Sequence, residues 1–369
     1  MMRRRPCGFV WRGRHWDSMK EGENADSAAL MHKEILERVE AGGHLARAEA
    51  EGAMEELLAG RAGHEEIVRL LGALRARPYG VEELTGFATA MRRHAQPVFA
   101  PGEARPEHLV DTCGTGGDGA GTFNISTAAA IVAAGAGARV AKHGNRSSAS
   151  NGSGSADVLE ALGVCLDLPL ERVGAAIREI GIGFIFAQLA HTSMRHAVAA
   201  RRELGGRTVF NLLGPLTNPA GAPAQVLGVF TAEVLELMAA TLVELGVERA
   251  FVVHGAGGLD EIALAGETQV AEVRHGSVRR YTVTPEEFGV ARAAQEAIRG
   301  GDAAENAALI RRILAGEPGA PRDIVAINAA AALVAAGVSE NFREGARRAA
   351  QAIDSGAAWE KLRELVEYH

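Results

Sequence analysis

Two glycine-rich segments, each placed directly after a short apolar run, constrain the fold of this chain more than any other feature. Residues 111–127 contain five glycines, and residues 141–157 combine glycine with serine, asparagine and basic side chains. Glycine lets the backbone adopt positive φ angles and approach a ligand closely. Successive N–H groups in such loops converge on anions, and a helix N-terminus adds more of them. The two segments therefore predict phosphate-binding loops between strands and helices.

Beyond residue 107, strand-like and helix-like runs alternate. Strands are predicted at 109–113, 138–141, 184–186, 226–230 and 250–253, a hairpin at 269–283, and helices at 126–134, 155–162, 171–180, 234–245 and from 303 onward. Such alternation is typical of an α/β domain in which a mainly parallel central sheet is flanked by helices. Ligands bind these sheets at the loops after the carboxyl ends of strands. Both glycine-rich segments fall at that position, as do Asp260 and Glu261.

The N-terminal part of the chain has a different pattern. Apolar residues at helical spacing predict four short helices within residues 26–96. The proline-containing stretch 97–107 is predicted to be a linker, and the larger α/β domain to span 107–368. Residues 1–31 contain an arginine run but lack the apolar core of a secretory signal. We interpret them as a disordered or mis-annotated leader.

The first glycine-rich segment partly matches one common nucleotide-binding motif and lacks the closing residues of another. Gly114, Gly116 and Gly119 match the spacing of the dinucleotide fingerprint. That motif also needs an acid about 20 residues further on for the ribose hydroxyls, and none occurs between Asp118 and Asp157. A P-loop is excluded because no Gly-Lys-Ser/Thr closes the segment. Its N–H, hydroxyl and cationic groups instead suit a phosphate or pyrophosphate.

Composition narrows the classes of partner. A net charge of −7 argues against nucleic acid or an acidic membrane surface as the main ligand. No apolar run has the length of a bilayer-spanning helix. The three cysteines lack metal or disulfide spacing, which is expected of a protein in a reducing cytoplasm.

Several segments in colinear order resemble the anthranilate phosphoribosyltransferases of tryptophan biosynthesis. They are residues 111–119 (Asp-Thr-Cys-Gly-Thr-Gly-Gly-Asp-Gly), 124–127 (Asn-Ile-Ser-Thr), 142–146 (Lys-His-Gly-Asn-Arg), 154–163, 207–219, 258–261 and 328–333. The resemblance extends over residues 32–368. It implies transfer of the phosphoribosyl group of phosphoribosyl pyrophosphate to anthranilate, giving N-(5-phosphoribosyl)anthranilate and pyrophosphate. It also implies use of Mg²⁺ and a small helical domain over 32–96, joined by helices near 188–205, through which a homodimer forms. The cysteine pattern noted above leads us to expect a cytoplasmic location.

The resemblance assigns site residues position by position. The donor, phosphoribosyl pyrophosphate, would contact Gly114, Gly117, Asp118, Thr122, Asn124, Ile125, Ser126, Thr127, Lys142, His143, Gly144, Asn145, Arg146, Ser150 and Ser155. Anthranilate would contact Gly114, Asn145 and Arg201, since arginine can hold a carboxylate in a two-pronged contact. Ser126, Asp260 and Glu261 would bind Mg²⁺, an ion that prefers carboxylate and phosphate oxygens. No residue is assigned as a general acid or base.

The chain departs from the family pattern in two places. Residues 147–155 are one residue longer than the usual spacing, so we favour Ser155 as the last phosphate ligand over Ser150 and Ser153. Within residues 192–200, prolines that are usual in the family are replaced by other residues, which affects the shape of the acceptor pocket. His143 and His191 are candidates to line that pocket or to serve structural roles.

Two other functions stay open at this point. One is a pyrimidine nucleoside phosphorylase, which shares the fold but uses phosphate and a nucleoside. The other is a non-catalytic relative that binds nucleic acid or acts as a regulator. The acidic pair and the matches at Asn145 and Arg201 favour the transferase.

Overall fold

The structure is a computed structural model and describes residues 25–147 and 153–369. Residues 1–24 of the predicted leader lie outside this part of the chain. The first helix already begins at Ala25, ahead of the expected domain start at residue 32.

An N-terminal bundle consists of four helices, α1 (Ala25–Glu40), α2 (Arg47–Leu58), α3 (His64–Arg75) and α4 (Val81–His94). Each buries the apolar stripe that the helical spacing predicts, because one face of each helix carries the large apolar side chains. A later helix, α9 (Arg195–Leu204), adds Ala197 and Ala200 to the same core. The bundle therefore contains a segment from the 188–205 region as well as the N-terminal helices.

The larger part of the molecule is built on a seven-stranded sheet. Its strands are β1 (Leu109–Gly114), β2 (Arg139–Gly144), β3 (Ile182–Phe186), β4 (Ala224–Gly228), β5 (Arg249–Gly255), β6 (Thr268–Arg274) and β7 (Ser277–Val283), in the order β3-β2-β1-β4-β5-β6-β7. Strands β1 to β5 pair in parallel, and β6 and β7 add an antiparallel hairpin. The predicted fold class is confirmed. The carboxyl ends of β1 to β5 meet at one edge of the sheet.

Helices cover both faces of this sheet. They are α5 (Ile125–Gly135), α6 (Ser155–Leu162), α7 (Leu170–Glu179), α8 (Ala187–Ala190), α10 (Phe210–Leu213), α11 (Leu235–Glu244), α12 (Pro285–Phe288), α13 (Ala303–Leu314), α14 (Ala320–Ala335), α15 (Phe342–Asp354) and α16 (Ala357–Glu367). One face packs against α5, α6 and α13–α16, and the other against α11 and the helical bundle. The alanine-rich helices α5 and α14 are buried on nearly every side, which explains their continuous apolar sequences.

The stretch predicted as a linker has no helix or strand, but it is not detached from the domain. Val98 and Phe99 are buried in a third apolar cluster with residues of α7 and β3. Gly174 in α7 has no room for a side chain, since a Cβ there would lie 2.3 Å from the carbonyl oxygen of Val98. In the part of the chain that the structure describes, no helix is both long and apolar enough to cross a bilayer.

Candidate active site

The first glycine loop leaves the carboxyl end of β1 and returns to the N-terminus of α5. Gly116 and Gly117 have φ angles of 65° and 72°, which residues with a side chain adopt only under strain. These angles turn the chain so tightly that the N–H of Gly116 donates a 2.9 Å hydrogen bond to Oδ2 of Asp260. Ten residues later, the N–H of Ser126 at the start of α5 donates a 3.0 Å bond to Oε1 of Glu261. The loop thus presents its N–H groups toward the loop after β5.

Asp260 and Glu261 approach from that loop as two half-buried carboxylates. Burial raises the pKa of Asp260, and the nearby Asp118 carboxylate raises it further. Burial and the charge of Asp260 likewise raise the pKa of Glu261, although Lys142 opposes this. Gly114 allows the close approach, since a Cβ there would lie 2.5 Å from Oδ2 of Asp260. Since burial and repulsion between neighbouring carboxylates disfavour ionisation of both carboxyls, a bound cation would favour their charged forms.

Lys142 at the end of β2 is the buried cation beneath this acidic pair. Its side chain is only 3% exposed, and Nζ donates hydrogen bonds to the carbonyl of Thr112 (2.6 Å) and to Oγ of Ser126 (3.4 Å). Burial lowers its pKa, while the neighbouring Asp111 opposes that change. Lys142 therefore lies under the site, bonded to the protein, and not free at its surface.

The acidic pair fits Mg²⁺ better than a metal held by protein ligands alone. In residues 25–147 and 153–369 no group of three or more His, Cys, Asp or Glu side chains is arranged to hold a metal ion. Mg²⁺ is usually bound by one or two carboxylates together with substrate phosphates and water. Asp260 and Glu261 beside a phosphate-binding loop offer that donor set, and Ser126 is bonded to Glu261 through its backbone N–H.

The second glycine-rich loop follows β2 and is described at both of its ends. The N–H groups of Ser147 and Gly154 each donate a 2.9 Å bond to Oδ2 of Asp157 at the start of α6. Asn124 of the first loop donates a 2.8 Å bond from Nδ2 to the carbonyl of Ser153, which joins the two loops. Ser155 packs against Gly144, where a Cβ would lie 2.1 Å from its Oγ. Ser150 lies outside the described residues.

Three of the residues predicted to contact phosphoribosyl pyrophosphate have side chains that point to other parts of the protein or are buried in it. Arg146 points away to α6, with NH1 at 2.9 Å from Asp157 and 2.8 Å from Glu160. Ile125 has a buried side chain, and its N–H donates to the carbonyl of Phe123. Thr127 is buried in α5, and its hydroxyl has no hydrogen-bond partner in the described parts of the chain.

Asp118 and Thr122 occupy the outer part of the first loop. Oδ1 of Asp118 accepts a 3.1 Å bond from Ala120, and Oδ2 accepts a 3.4 Å bond from the N–H of Asp260. Thr122 pairs with Arg299 in an isolated antiparallel bridge. The structure thus brings Gly114, Gly117, Asp118, Asn124, Ser126, Asp260 and Glu261 to one edge of the sheet. Their roles as ligands remain predictions.

A cavity of about 620 Å³ adjoins this edge. The three residues predicted to contact anthranilate, Gly114, Asn145 and Arg201, all line it. Arg201 lies on α9 with its guanidinium 5.2 Å from the ring centre of Phe210. It is half-buried, burial lowers its pKa, and no carboxylate pairs with it in the described part of the chain. A half-buried cation without a counter-ion suits an anionic ligand.

His143 and His191 line the same cavity, as proposed from the sequence. Their rings meet edge to face, with centres 5.1 Å apart. Burial lowers the pKa of His143 to about 3 and that of His191 to about 4, and the proximity of His191 contributes to the shift at His143. Neither Nε2 has a hydrogen-bond partner among the described residues. Both rings are therefore neutral at pH 7, and their Nε2 atoms are buried away from the surface of the cavity.

Two supporting residues lie in segments that carry the family resemblance but were given no role from the sequence. Arg207 stacks 3.8 Å above the ring of Phe230 and donates to the carbonyl of Gly117, which holds the first loop from the outside. Asn328 is a buried amide in α14 whose side chain bonds both the N–H and the carbonyl of Ile262, directly after the acidic pair. A single asparagine in the alanine run of α14 was the available signal.

Comparison with known proteins identifies the family. A glycosyl transferase family model of an α/β domain matches residues 106–359, and the corresponding helical bundle domain matches residues 33–95. The anthranilate phosphoribosyltransferase of Pelotomaculum thermopropionicum is 54% identical over 338 residues, which cover 92% of this chain and 96% of that protein. This chain belongs to the anthranilate phosphoribosyltransferase family. The family predicted from the sequence motifs is thereby confirmed.

Solved structures of anthranilate phosphoribosyltransferases share the fold. That from Thermus thermophilus superposes with a TM-score of 0.84 at 48% identity, covering 90% of this chain and 98% of the other. The enzyme of Saccharomyces cerevisiae, solved in complex with PRPP (phosphoribosyl pyrophosphate) and Mg, superposes with a TM-score of 0.82 at 27% identity, covering 92% and 98%. The family relationship therefore spans both the helical bundle and the α/β domain.

Proposed function

We propose that this chain transfers the phosphoribosyl group of phosphoribosyl pyrophosphate to the amine of anthranilate, as its relatives are named to do. One arrangement carries the proposal. Two loops rich in N–H groups and the acidic pair Asp260 and Glu261 meet at one edge of the sheet, beside the cavity that contains Arg201. This arrangement supports adjoining sites for a polyphosphate donor and a carboxylate-bearing acceptor.

The donor would bind mainly through backbone N–H groups. The first loop and the N-terminus of α5 offer a set of N–H dipoles, and such groups stabilise phosphate oxygens. In the reaction the bond between ribose C1 and the pyrophosphate oxygen breaks, and the electron pair leaves with that oxygen. Donors that are already oriented stabilise this developing charge without further reorganisation.

Asp260 and Glu261, with the hydroxyl of Ser126, would hold Mg²⁺. The bound ion would neutralise charge on the departing pyrophosphate. Two observations support this assignment, namely the hydrogen bonds from Gly116 and Ser126 that place both carboxylates against the phosphate-binding loop, and the yeast relative solved in complex with PRPP and Mg. Lys142 supplies only one buried positive charge to the acidic pair.

Arg201 would hold the carboxylate of anthranilate at the far side of the cavity. The neutral amine would then attack ribose C1 as the pyrophosphate leaves, and the nitrogen, positively charged once the C–N bond has formed, would lose one proton to water. An aromatic amine is nucleophilic without deprotonation, so alignment supplies the main catalytic effect. His143 and His191 would shape the wall of the acceptor cavity as neutral rings, since both residues line it and their Nε2 atoms are buried.

We further propose the domain division 32–96 (joined by helices near 188–205) and 107–368, a cytoplasmic location, and a homodimer formed through the helical bundle. The bounds of the two matching family domains and the shared core of α9 and the bundle support the division. Light scattering after gel filtration tests the dimer. Twice the chain mass is expected, and the mass of a single chain would refute it.

One assay tests the proposed reaction against its rivals. Purified protein is incubated with phosphoribosyl pyrophosphate, Mg²⁺ and anthranilate, and pyrophosphate release and anthranilate fluorescence are followed together. We expect one pyrophosphate for each anthranilate consumed. Turnover of uridine or thymidine with phosphate, without pyrophosphate release from the first mixture, would instead support the phosphorylase. Pyrophosphate release that requires a different amine would retain the donor and reject the acceptor.

A further inference from the structure

Asn306 lies on α13, behind the two glycine-rich segments proposed to bind phosphoribosyl pyrophosphate, 111–127 and 141–157, which we call the donor loops. It is 2% exposed. Its Oδ1 accepts a 2.8 Å hydrogen bond from the N–H of Gly301, and its Nδ2 donates to Oδ1 of Asn124 at 3.1 Å and to the carbonyl of Gly301 at 3.2 Å. Every polar atom of this buried amide is therefore bonded. Breaking one of these bonds would leave a buried group unsatisfied, which is costly.

The hydrogen bonds through Asn306 run in one direction only. The N–H of Gly301 can only donate, so the atom of Asn306 facing it must be the oxygen. The nitrogen of Asn306 then faces Asn124, which must present its own oxygen there. This leaves Nδ2 of Asn124 to donate a 2.8 Å bond to the carbonyl of Ser153, a group that can only accept. Backbone groups at both ends fix the orientation of both amides.

This hydrogen-bonded chain connects the two donor loops. Asn124 ends the first loop just before α5, and Ser153 belongs to the second loop just before α6. The segment leading into α13 supports the same place, since the N–H of Gly300 donates a 2.9 Å bond to the carbonyl of Gly121. Contact there is close enough that a Cβ on Gly300 would lie 2.5 Å from the nitrogen of Phe123. Helix α13 thus braces the loops from outside the site.

We propose that Asn306 is a positioning residue for the donor. By setting the amide orientation of Asn124, it holds the two phosphate-binding loops at the separation that phosphoribosyl pyrophosphate needs. The inference rests on the proposed function, and Asn306 acts entirely through Asn124. Each hydrogen bond in this series needs its donor on one side and its acceptor on the other. Replacing the single amide nitrogen of residue 306 by oxygen is therefore enough to test the proposal.

Asn306→Asp makes that change. A carboxylate still accepts from Gly301 but has no hydrogen to donate, so two acceptors would face each other at Asn124. We expect the KM for phosphoribosyl pyrophosphate to rise roughly 5- to 100-fold, the range for loss of a buried hydrogen bond. The KM for anthranilate should stay within about twofold of wild type, because none of the residues in this hydrogen-bonded series lines the acceptor cavity.

Ile310→Val is the matched control, since Ile310 is fully buried in the same helix but has no polar contact. It should lower the melting temperature without changing the KM for the donor. An equal rise of that KM in Ile310→Val would mean that helix packing, and not the amide chain, explains the effect, and the proposal would be overturned.

Calorimetric binding of phosphoribosyl pyrophosphate with Mg²⁺, without anthranilate, completes the test as a double-mutant cycle. Asn306→Asp should weaken binding in the wild-type background and change it less than about twofold in the Asn124→Ala background. Equal weakening in both backgrounds would refute an action through Asn124. A wild type that binds the donor but forms no product would refute the proposed reaction, while the calorimetric cycle would still decide the role of Asn306. A wild type that does not bind the donor would refute both.

Discussion

The backbone N–H of Gly116 donates a 2.9 Å hydrogen bond to the carboxylate of Asp260, so the first glycine loop and the acidic loop after β5 are in direct contact. Ser126 and Glu261 repeat this relationship at 3.0 Å. The groups expected to bind phosphate and those expected to bind Mg²⁺ therefore set each other's positions. A substitution that displaces one set of groups should therefore displace the other set as well.

Gly114→Ala tests this mutual dependence at its closest contact. The added Cβ would lie 2.5 Å from Oδ2 of Asp260, so the carboxylate or the loop must shift. We expect kcat/KM for the donor to fall by roughly 100-fold, as is typical when a site is displaced by about 1 Å. Steady-state kinetics at saturating anthranilate measures it.

Gly52→Ala is the control for that substitution. Gly52 lies inside α2, and a Cβ there would meet no atom within 4 Å. This variant should gain roughly 0.5–1 kcal/mol of stability and keep wild-type kinetics. A Gly114→Ala enzyme with unchanged kinetics would show that the Asp260 contact does not matter for catalysis.

Asn328→Leu should displace the acidic pair, because it removes the hydrogen bonds that hold the next residue, Ile262. Asn328 is 3% exposed, and its amide accepts from the N–H of Ile262 at 2.9 Å and donates to the carbonyl of Ile262 at 3.0 Å. Leucine would leave both backbone groups unsatisfied, at a cost of about 1–3 kcal/mol each. Because Ile262 directly follows Glu261, we expect the Mg²⁺ concentration for half-maximal activity to rise several-fold.

Ile324→Val, in the same helix, controls for lost packing around Asn328. It should destabilise the protein by roughly 0.5–1.5 kcal/mol without altering the Mg²⁺ requirement. If Asn328→Leu shows an unchanged Mg²⁺ requirement, its role is limited to stability.

Glu83 in the helical bundle should make stability depend on pH. Its carboxylate is fully buried, which opposes ionisation, but hydrogen bonds from Arg77, His44 and the N–H groups of Gly80 and Leu45 lower its pKa to about 2. Because the folded pKa lies below the unfolded value, the ionised group stabilises the fold above pH 4.5. That contribution is lost progressively as the pH falls toward 2.

Glu83→Gln should therefore lower the free energy of unfolding by roughly 2–3 kcal/mol at pH 7. The difference from wild type should shrink at pH values below about 4.5. Urea unfolding at a series of pH values measures it. Glu82→Gln, which removes an exposed neighbour paired with Arg47, is the control and should have a small effect at every pH. A Glu83→Gln penalty that does not change with pH would contradict the ion-pair explanation.

Much of the fold was predictable because it depends on local patterns. Periodic apolar residues placed the bundle helices and the parallel strands, and glycine with Ser126 predicted a loop leading into α5. The order of the strands in the sheet depends on contacts between distant segments. Periodicity within one segment carries no information on such contacts.

The site was less predictable, because side-chain direction depends on neighbours far away in sequence. Arg146 belongs to a motif predicted to bind phosphate, but its guanidinium forms salt bridges with Asp157 and Glu160. Lys142 is in the expected place but is buried under Ser126. Asn306, 182 positions from Asn124, has no local signal that would connect the two.

The central claim is that donor and acceptor occupy separate, adjoining sites, and the KM values of both substrates test it most directly. Steady-state kinetics would compare wild type, Arg201→Ala and Glu261→Gln, with Arg202→Ala as control because Arg202 is the exposed neighbour on α9. Arg201→Ala should raise the KM for anthranilate tenfold or more, at roughly 1.5–3 kcal/mol for a charged hydrogen bond, and leave that for the donor within about twofold. Glu261→Gln should mainly impair use of the donor and Mg²⁺, and Arg202→Ala should behave as wild type. If Arg201→Ala changes both KM values equally, or Arg202→Ala reproduces its effect, the assignment of two separate sites is wrong.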